Sequence, residues 1–134
     1  MKTFSIIFSY LLVAGAVGMS LWGILGFAEY FSGNTFIVPL QNPTFPKGTQ
    51  FIHWFLITLS GIVYLAGYFR RWKITPNLMI TIYACMATMC FIQTFDFMVR
   101  PDRYVSFVIE CINYILISTY LFKSERMKNV FQRN

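Results

Sequence analysis

The chain contains four apolar stretches, each close to 20 residues long and separated by more polar segments. They run from about Phe4 to Phe27, Phe51 to Phe69, Pro76 to Met98 and Tyr104 to Phe122. A helix needs about 20 apolar residues to cross a hydrocarbon core about 30 Å thick. Lipid offers the backbone no hydrogen-bond partners, so helices are the expected spanning structure. The sequence therefore predicts an all-α integral membrane protein, a four-transmembrane-helix bundle over about 4–28, 50–70, 76–98 and 103–123.

The overall composition supports this class. Of the 134 residues, 57% are hydrophobic and only 12% are charged, whereas charged residues make up about a quarter of a globular protein. A soluble domain of this length would have to expose much of that apolar surface. Because the four stretches use up nearly all of the chain, we expect one membrane domain over residues 1–134 and a lipid bilayer around it.

The basic residues indicate membrane topology and not nucleic-acid binding. The net charge is +6, but the eleven Lys and Arg residues lie singly or in short clusters at the ends of apolar stretches, so no nucleic-acid partner is expected. Placing the N-terminus in the cytoplasm puts eight of them inside: Lys2, Arg70, Arg71, Lys73, Lys123, Arg126, Lys128 and Arg133. The other three, Lys47, Arg100 and Arg103, then face out. This bias predicts an N-in/C-in protein with an outer loop between helices 1 and 2, multi-pass in a bacterial inner membrane or another plasma-type membrane.

The N-terminus also imitates a cleavable signal peptide. Lys2 precedes the apolar stretch Phe4 to Val13, and Ala14-Gly15-Ala16 resembles a cleavage site. The chain past Ala16 stays apolar for about ten more residues, where a mature N-terminus would usually turn polar. We therefore expect an uncleaved first helix, and an intact mass would decide between the two.

The cysteines and short motifs offer no recognisable chemistry. Cys85, Cys90 and Cys111 lie inside apolar stretches, with no C-x-x-C pair and no histidine at ligand spacing, so we interpret them as small hydrophobic side chains. The single histidine excludes a haem held by two histidines of this subunit. Because phosphate-loop, zinc-protease and serine-hydrolase motifs are missing from the sequence, we expect no cofactor and no metal.

Polar residues inside the apolar stretches are the strongest functional signal. On each of three helices two of them are three residues apart and so share a helix face: Gln50 with His53, Gln93 with Asp96, and Glu110 with Asn113. In the predicted orientation all of them fall in the outer half of the membrane, at the level of Glu29. We predict that these six residues line one polar site there. For Asp96, Gln50 and His53 the alternative is an ordinary solvated position near the membrane interface.

Glu110 is the most unusual of these residues. It lies about two turns inside the fourth helix, where an ionised carboxylate costs several kcal/mol unless it is paired, protonated or in a wet cavity. One interpretation is a structural ion pair with His53, Arg100 or Arg103. The other is a ligand contact or a proton-handling group, and the sequence leaves both open.

Small residues form a face on the first helix. Gly15, Gly18, Trp22 and Gly26 follow one another at steps of three or four residues. Small side chains let helix backbones approach closely in lipid. We therefore predict that Gly15, Gly18 and Gly26 form a helix-packing face, against another helix of this chain or against another subunit.

The outer loop, Glu29 to about Thr49, is too long for a simple hairpin. Loops of this length are often lids or binding elements. It contains an apolar stretch, Phe36 to Leu40, which we expect to fold against the helix tips or into the headgroup layer. Such a lid would cover the polar site.

Three functions fit this pattern. The first, which we prefer, is a small binding or accessory subunit of a larger membrane complex, or an assembly factor for one. The partner would be another copy of this chain or another membrane protein, contacted through the first helix. The second is a membrane-embedded enzyme that uses Glu110, Asp96 and His53 as acid and base groups on a lipid-like substrate. The third is an oligomeric proton-coupled transporter, although inverted repeats are not visible in the sequence.

Overall fold

The computed structural model describes residues 2–131, and this part of the chain is all-helical and contains no strand. Its elements are α1 (Lys2–Ser32), α2 (Lys47–Arg70), α3 (Thr75–Ile92), a π-helical turn (Gln93–Phe97), α4 (Arg103–Lys123) and α5 (Glu125–Val130). Four segments are long and apolar enough to cross a membrane: Thr3–Ser32, Lys47–Arg70, Thr75–Phe97 and Arg103–Lys123. The prediction of an all-helical protein with four candidate spans is confirmed. Arg133, which entered the charge bias, lies outside the described residues, and so does the side chain of Lys2.

Two helix starts differ slightly from their predicted positions. The second helix is predicted from residue 50, but α2 begins at Lys47 after Pro46, whose extended backbone (φ −56°, ψ 143°) directs the chain into the helix. The third helix is predicted from residue 76, and α3 begins one residue earlier, at Thr75, with a proline in the first turn, where no N–H is needed.

The most extensive helix contact joins α1 to α2. A Cβ added to Gly23 would overlap Thr58, and one added to Gly61 would overlap the backbone of α1. The two backbones therefore approach closely, as small residues allow in the absence of a hydrophobic force between helices in lipid. α2 packs in turn on α3, and α3 packs on α4.

The bundle has two chemically different ends. At one end, which we call the basic end, α1 and α3 begin and α2 and α4 end. The opposite end, which we call the loop end, contains residues 33–46 and the π-helical turn. At the basic end α1 meets α4, because the Tyr120 hydroxyl donates to the Ser5 carbonyl oxygen at 2.6 Å. The Phe8 ring also meets the Tyr120 ring edge-on, with centroids 4.6 Å apart. These contacts join α1 to α4 at the basic end of the bundle.

The sequence did not predict the last helix, α5. The chain leaves the helical conformation at Ser124 (ψ 123°) and turns back under the bundle. Leu121, Met127 and Phe131 are then completely buried, and the Phe131 ring faces the Tyr64 ring. The sequence signal for it is the spacing of Met127 and Phe131, which are one helical turn apart.

α4 is much less covered by the rest of the chain than its neighbours. In its most apolar part 6% of the residues are buried, against 33% in α2 and in α3. α4 packs on α3 and α5 and, at the basic end, reaches α1. Most of its surface is therefore not covered by the described part of the chain.

Candidate functional site

Three of the predicted site residues come together in one small cavity near the loop end. The cavity is lined from α2, α3, α4 and the π-helical turn by His53, Leu56, Met86, Met89, Cys90, Gln93, Glu110 and Tyr114. Its volume is about 20 Å³, which is room for roughly one water molecule. His53, Gln93 and Glu110 are thus polar groups facing one water-sized space.

Gln93 is the most deeply placed of the three. Its residue is 4% exposed, and its side-chain Nε2 has no hydrogen-bond partner in the described part of the chain. A buried amide donor without a partner costs about 1–3 kcal/mol. The cavity that it lines offers space for the missing acceptor, such as a water oxygen or a ligand atom.

The backbone at Gln93 is also irregular. The Met98 N–H donates to the Gln93 carbonyl oxygen at 2.8 Å, five residues back instead of four. Such π-helical turns occur frequently at functional sites. The π-helical turn changes the register of the residues that follow Gln93. Asp96 therefore does not share a helix face with Gln93, as it would in a regular α-helix.

Glu110 occupies the open side of the cavity. The residue is exposed in this chain, and its Oε2 accepts a hydrogen bond of 3.3 Å from the Tyr114 hydroxyl, one turn along α4. His53 is half-buried, its ring lies edge-on to Trp54, and no ion pair of 4 Å or less joins it to Glu110. Neither Arg100 nor Arg103 pairs with Glu110 either; Arg100 pairs with Asp102 at 2.9 Å.

The other three predicted residues lie elsewhere. Asn113 is exposed on α4 and does not line the cavity. Asp96 is exposed and borders a shallow pocket with Arg100 and Arg103. The Gln50 side chain donates to the carbonyl oxygen of Phe45 at 3.0 Å and to that of Asn42, so it fixes the end of the loop.

Glu29 organises the loop and is not part of the cavity. It is 4% exposed, and its Oε1 accepts hydrogen bonds from the backbone N–H groups of Leu40 (2.9 Å) and Gln41 (3.0 Å). The Gln41 side chain then donates to the Gly26 carbonyl oxygen at 2.9 Å and accepts from the Trp54 indole at 3.3 Å. The residue pattern did not predict this role for Glu29.

The loop does not lie where a lid over the site would lie. Phe36 and Val38 line a small pocket together with Trp22 and Leu25 of α1, and both remain about half exposed. No loop residue lines the cavity of His53, Gln93 and Glu110. The reason is the anchor at Glu29, which holds the loop against α1.

The small-residue face of α1 is divided between two environments. A Cβ added to Gly26 would overlap the Trp54 ring, so Gly26 does lie in the contact with α2. Gly15 and Gly18 are exposed, and no described residue lies within 4 Å of where their Cβ atoms would be. Gly15 and Gly18 therefore do not contact another helix of this chain within residues 2–131. Their contact with another subunit stays a prediction.

Metal-binding geometry is not found in the described residues. Between residues 2 and 131 no three His, Cys, Asp or Glu side chains are grouped closely enough to hold a metal ion. Cys90 and Cys111 are half-buried, Cys85 is exposed, and all three are free thiols.

Comparison of the chain with protein-family models, with curated proteins and with solved structures found no significant match. The function must therefore be argued from the site. A carboxylate, an imidazole, an amide and a phenol hydroxyl around a water-sized cavity can hold a polar ligand atom, bind a polar group of a partner helix, or move a proton through a water molecule.

Proposed function

We propose that this protein is a small multi-pass membrane protein that works as a binding or accessory subunit of a larger membrane complex, or as an assembly factor for one. The observation that carries the proposal is the exposure of Glu110 on α4, a helix long and apolar enough to span a membrane. A partner that covers α4 would contact Glu110 directly.

The argument from Glu110 is energetic. The residue lies seven positions into α4, about 10 Å from the helix start, and the cost of a charged side chain rises toward about 3 kcal/mol at the centre of a spanning helix. One 3.3 Å hydrogen bond from Tyr114 compensates only part of this. A donor from a partner helix, next to Asn113 on the same exposed surface, would supply the rest.

The open glycines of α1 support the same proposal. Gly15 and Gly18 lie one turn apart on an exposed surface that includes Trp22, which is 45% exposed. Small residues are typical of close helix contacts in membranes. In this chain alone they have nothing to contact, and a second membrane protein or a second copy would fill the space.

The proposal includes an orientation. We infer an N-in/C-in protein with the loop end outside, in a bacterial inner membrane or another plasma-type membrane, from the eight-to-three charge bias. On a cysteine-free background, Asn42→Cys and Ser124→Cys should react with an impermeant thiol reagent from opposite sides of the membrane. Labelling of both from outside intact cells would contradict the orientation.

Native mass spectrometry of the protein extracted from its own membrane tests the accessory role. Because Gly18 has open space beside it, Gly18→Leu should fold like the parent protein and lose its bound partner or second copy. Ile24→Leu, a conservative change on the same helix, should keep both. If Gly18→Leu and the parent show the same assembly, or if the parent is a monomer with lipids only, the proposal fails.

A membrane-embedded acid–base enzyme or a proton-coupled transporter is the second candidate, favoured by the cavity that His53, Gln93 and Glu110 share. The Glu110→Gln variant distinguishes this second candidate from the accessory role. In an accessory subunit this variant should weaken partner retention, because the amide carries no charge to be paired. In a proton-handling protein it should assemble normally and lose turnover.

A further inference from the structure

A second polar feature lies at the opposite end of the molecule, remote from the cavity of His53, Gln93 and Glu110. A groove of about 1200 Å³ is open at the basic end, between the start of α1, the end of α2 and the α4–α5 turn. We call it the basic groove. Three cations line it, Arg71, Lys123 and Arg126, against the single carboxylate of Glu125 among the described lining residues.

The charges of the basic groove are not neutralised within residues 2–131. Glu125 pairs with Lys128 at 2.6 Å, which is outside the groove lining. None of the three lining cations forms an ion pair in the described part of the chain. The groove therefore presents a net positive surface that an anion would complement.

Arg126 carries a buried guanidinium N–H that is not satisfied within the described residues. Its Nε is buried and has no hydrogen-bond partner among the described residues, while its guanidinium lies 5.5 Å from the centre of the Tyr10 ring. A buried guanidinium N–H normally has an acceptor. The geometry of the side chain is fixed on one side by the tyrosine ring and lacks an oxygen acceptor on the other.

Arg71 is held in place by an unusual backbone. It ends α2 in the left-handed conformation (φ 55°, ψ 41°), and the following N–H, of Trp72, donates to the Gly67 carbonyl oxygen at 3.0 Å. Glycine is the usual residue at such a helix end, because a Cβ is unfavourable there. An arginine in this conformation directs a cation to the groove at some cost in backbone energy.

The rest of the lining is suited to an amphiphile. The hydroxyl-bearing rings of Tyr68 and Tyr120 lie beside the cations, and Phe4, Ile6 and Val130 supply apolar surface. Tyrosine is typical of the membrane–water interface. Cations at headgroup level beside apolar helix surface match one phosphate-bearing headgroup with its acyl chains.

We propose that the basic groove binds an anionic phospholipid, with Arg71, Lys123 and Arg126 around its phosphate and the acyl chains along α1. This site is independent of the accessory role and of the cavity at the loop end. A basic pocket between helix ends is a known form of headgroup site. Free phosphate shares the headgroup chemistry but would make no use of the apolar part of the lining.

The test is native mass spectrometry of the full chain released from nanodiscs that contain equal amounts of phosphatidylglycerol and phosphatidylcholine. The parent protein should retain phosphatidylglycerol in preference to phosphatidylcholine. Lys123→Gln, at an exposed position, should lower that preference about fivefold, and Arg71→Gln with Lys123→Gln should lower it roughly 25-fold, since each basic residue near a membrane surface contributes about 1 kcal/mol. Arg126→Gln should act in the same direction if it folds.

Lys73→Gln is the matched control, because Lys73 is exposed at the same end but does not line the groove. It should leave the preference unchanged. Three results would overturn the proposal: no preference in the parent protein, an equal loss in Lys73→Gln, or displacement of the lipid by millimolar inorganic phosphate. The last result would assign the groove to a free anion instead of a lipid.

Discussion

The two ends of this bundle are built on different principles. At the basic end Leu121, Met127 and Phe131 are completely buried, and hydroxyls of α1 and α4 are paired with each other. Both ends retain buried polar atoms without a partner in the described residues, on Glu29 and Gln93 at the loop end and on Thr75 and Arg126 at the basic end. What differs is the apolar packing, because three apolar side chains are completely buried at the basic end, whereas Phe36 and Val38 at the loop end stay about half exposed.

This difference in packing suggests how a small membrane protein can tolerate buried polar groups that lack hydrogen-bond partners. Buried apolar side chains at one end fix the relative positions of the helices, because close-packed interiors do not deform easily. The loop end can then carry a polar residue such as Gln93, whose hydrogen bonding is incomplete. Local departures from good packing and full hydrogen bonding are expected at functional sites.

The largest effect should come from removing a side chain that is completely buried at the basic end. Phe131→Ala should lower the free energy of unfolding by about 3–5 kcal/mol, because it leaves a cavity where the ring faces Tyr64. Phe31→Ala, at the loop end, is the matched control, since Phe31 is 73% exposed. Unfolding in detergent with rising denaturant measures both. Equal losses would show that the two ends do not differ in packing.

The second effect concerns the anchor of the loop. Glu29→Ala should cost about 1–3 kcal/mol, because it removes the acceptor of two backbone N–H groups. The change should be local, seen as faster amide hydrogen exchange at Leu40 and Gln41 with the helices still protected. Glu125→Ala, which removes a largely exposed carboxylate from the basic end, should leave exchange in the loop as it was. Unchanged exchange in Glu29→Ala would mean that the anchor is not needed.

The third effect is smaller and tests how α1 is joined to α4 at the basic end. Tyr120→Phe keeps the ring contact with Phe8 but removes the hydroxyl that donates to Ser5. The expected loss is about 1 kcal/mol, the typical net value of one hydrogen bond. Tyr10→Phe, at an exposed tyrosine of α1, should change stability by less. A loss in the control as large as in Tyr120→Phe would exclude a specific role for this bond.

The helices were predictable from the sequence because their cause is simple. Four apolar stretches of spanning length leave the backbone few alternatives in lipid, and the observed spans overlap all four predicted ones. The missed helix, α5, has only six residues. So short a helix has little stability of its own, and it depends on the burial of Met127 and Phe131, which is a tertiary effect.

The site was only partly predictable. A spacing of three residues places two side chains on one face only in a regular α-helix, and the π-helical turn at Gln93 removes that regularity before Asp96. Gln50 and Glu29 share the polar character of the cavity residues, but the loop uses both as hydrogen-bond partners. The polar groups that hydrogen-bond to a loop depend on its three-dimensional path, and periodicity in the sequence does not predict that path.

The smallest effect on stability should be the most informative about function. Gln93→Leu replaces a buried amide, whose Nε2 has no partner, by an apolar side chain of similar volume. A buried donor without a partner opposes folding, so the free energy of unfolding should not fall, and any change should be a rise of no more than about 1–3 kcal/mol. Met86→Leu, a volume-conserving change in the same cavity lining, should also be tolerated. If both variants fold alike and only Gln93→Leu loses its partner or its turnover, the amide serves function. A loss of several kcal/mol in Gln93→Leu would show instead that the amide stabilises the fold.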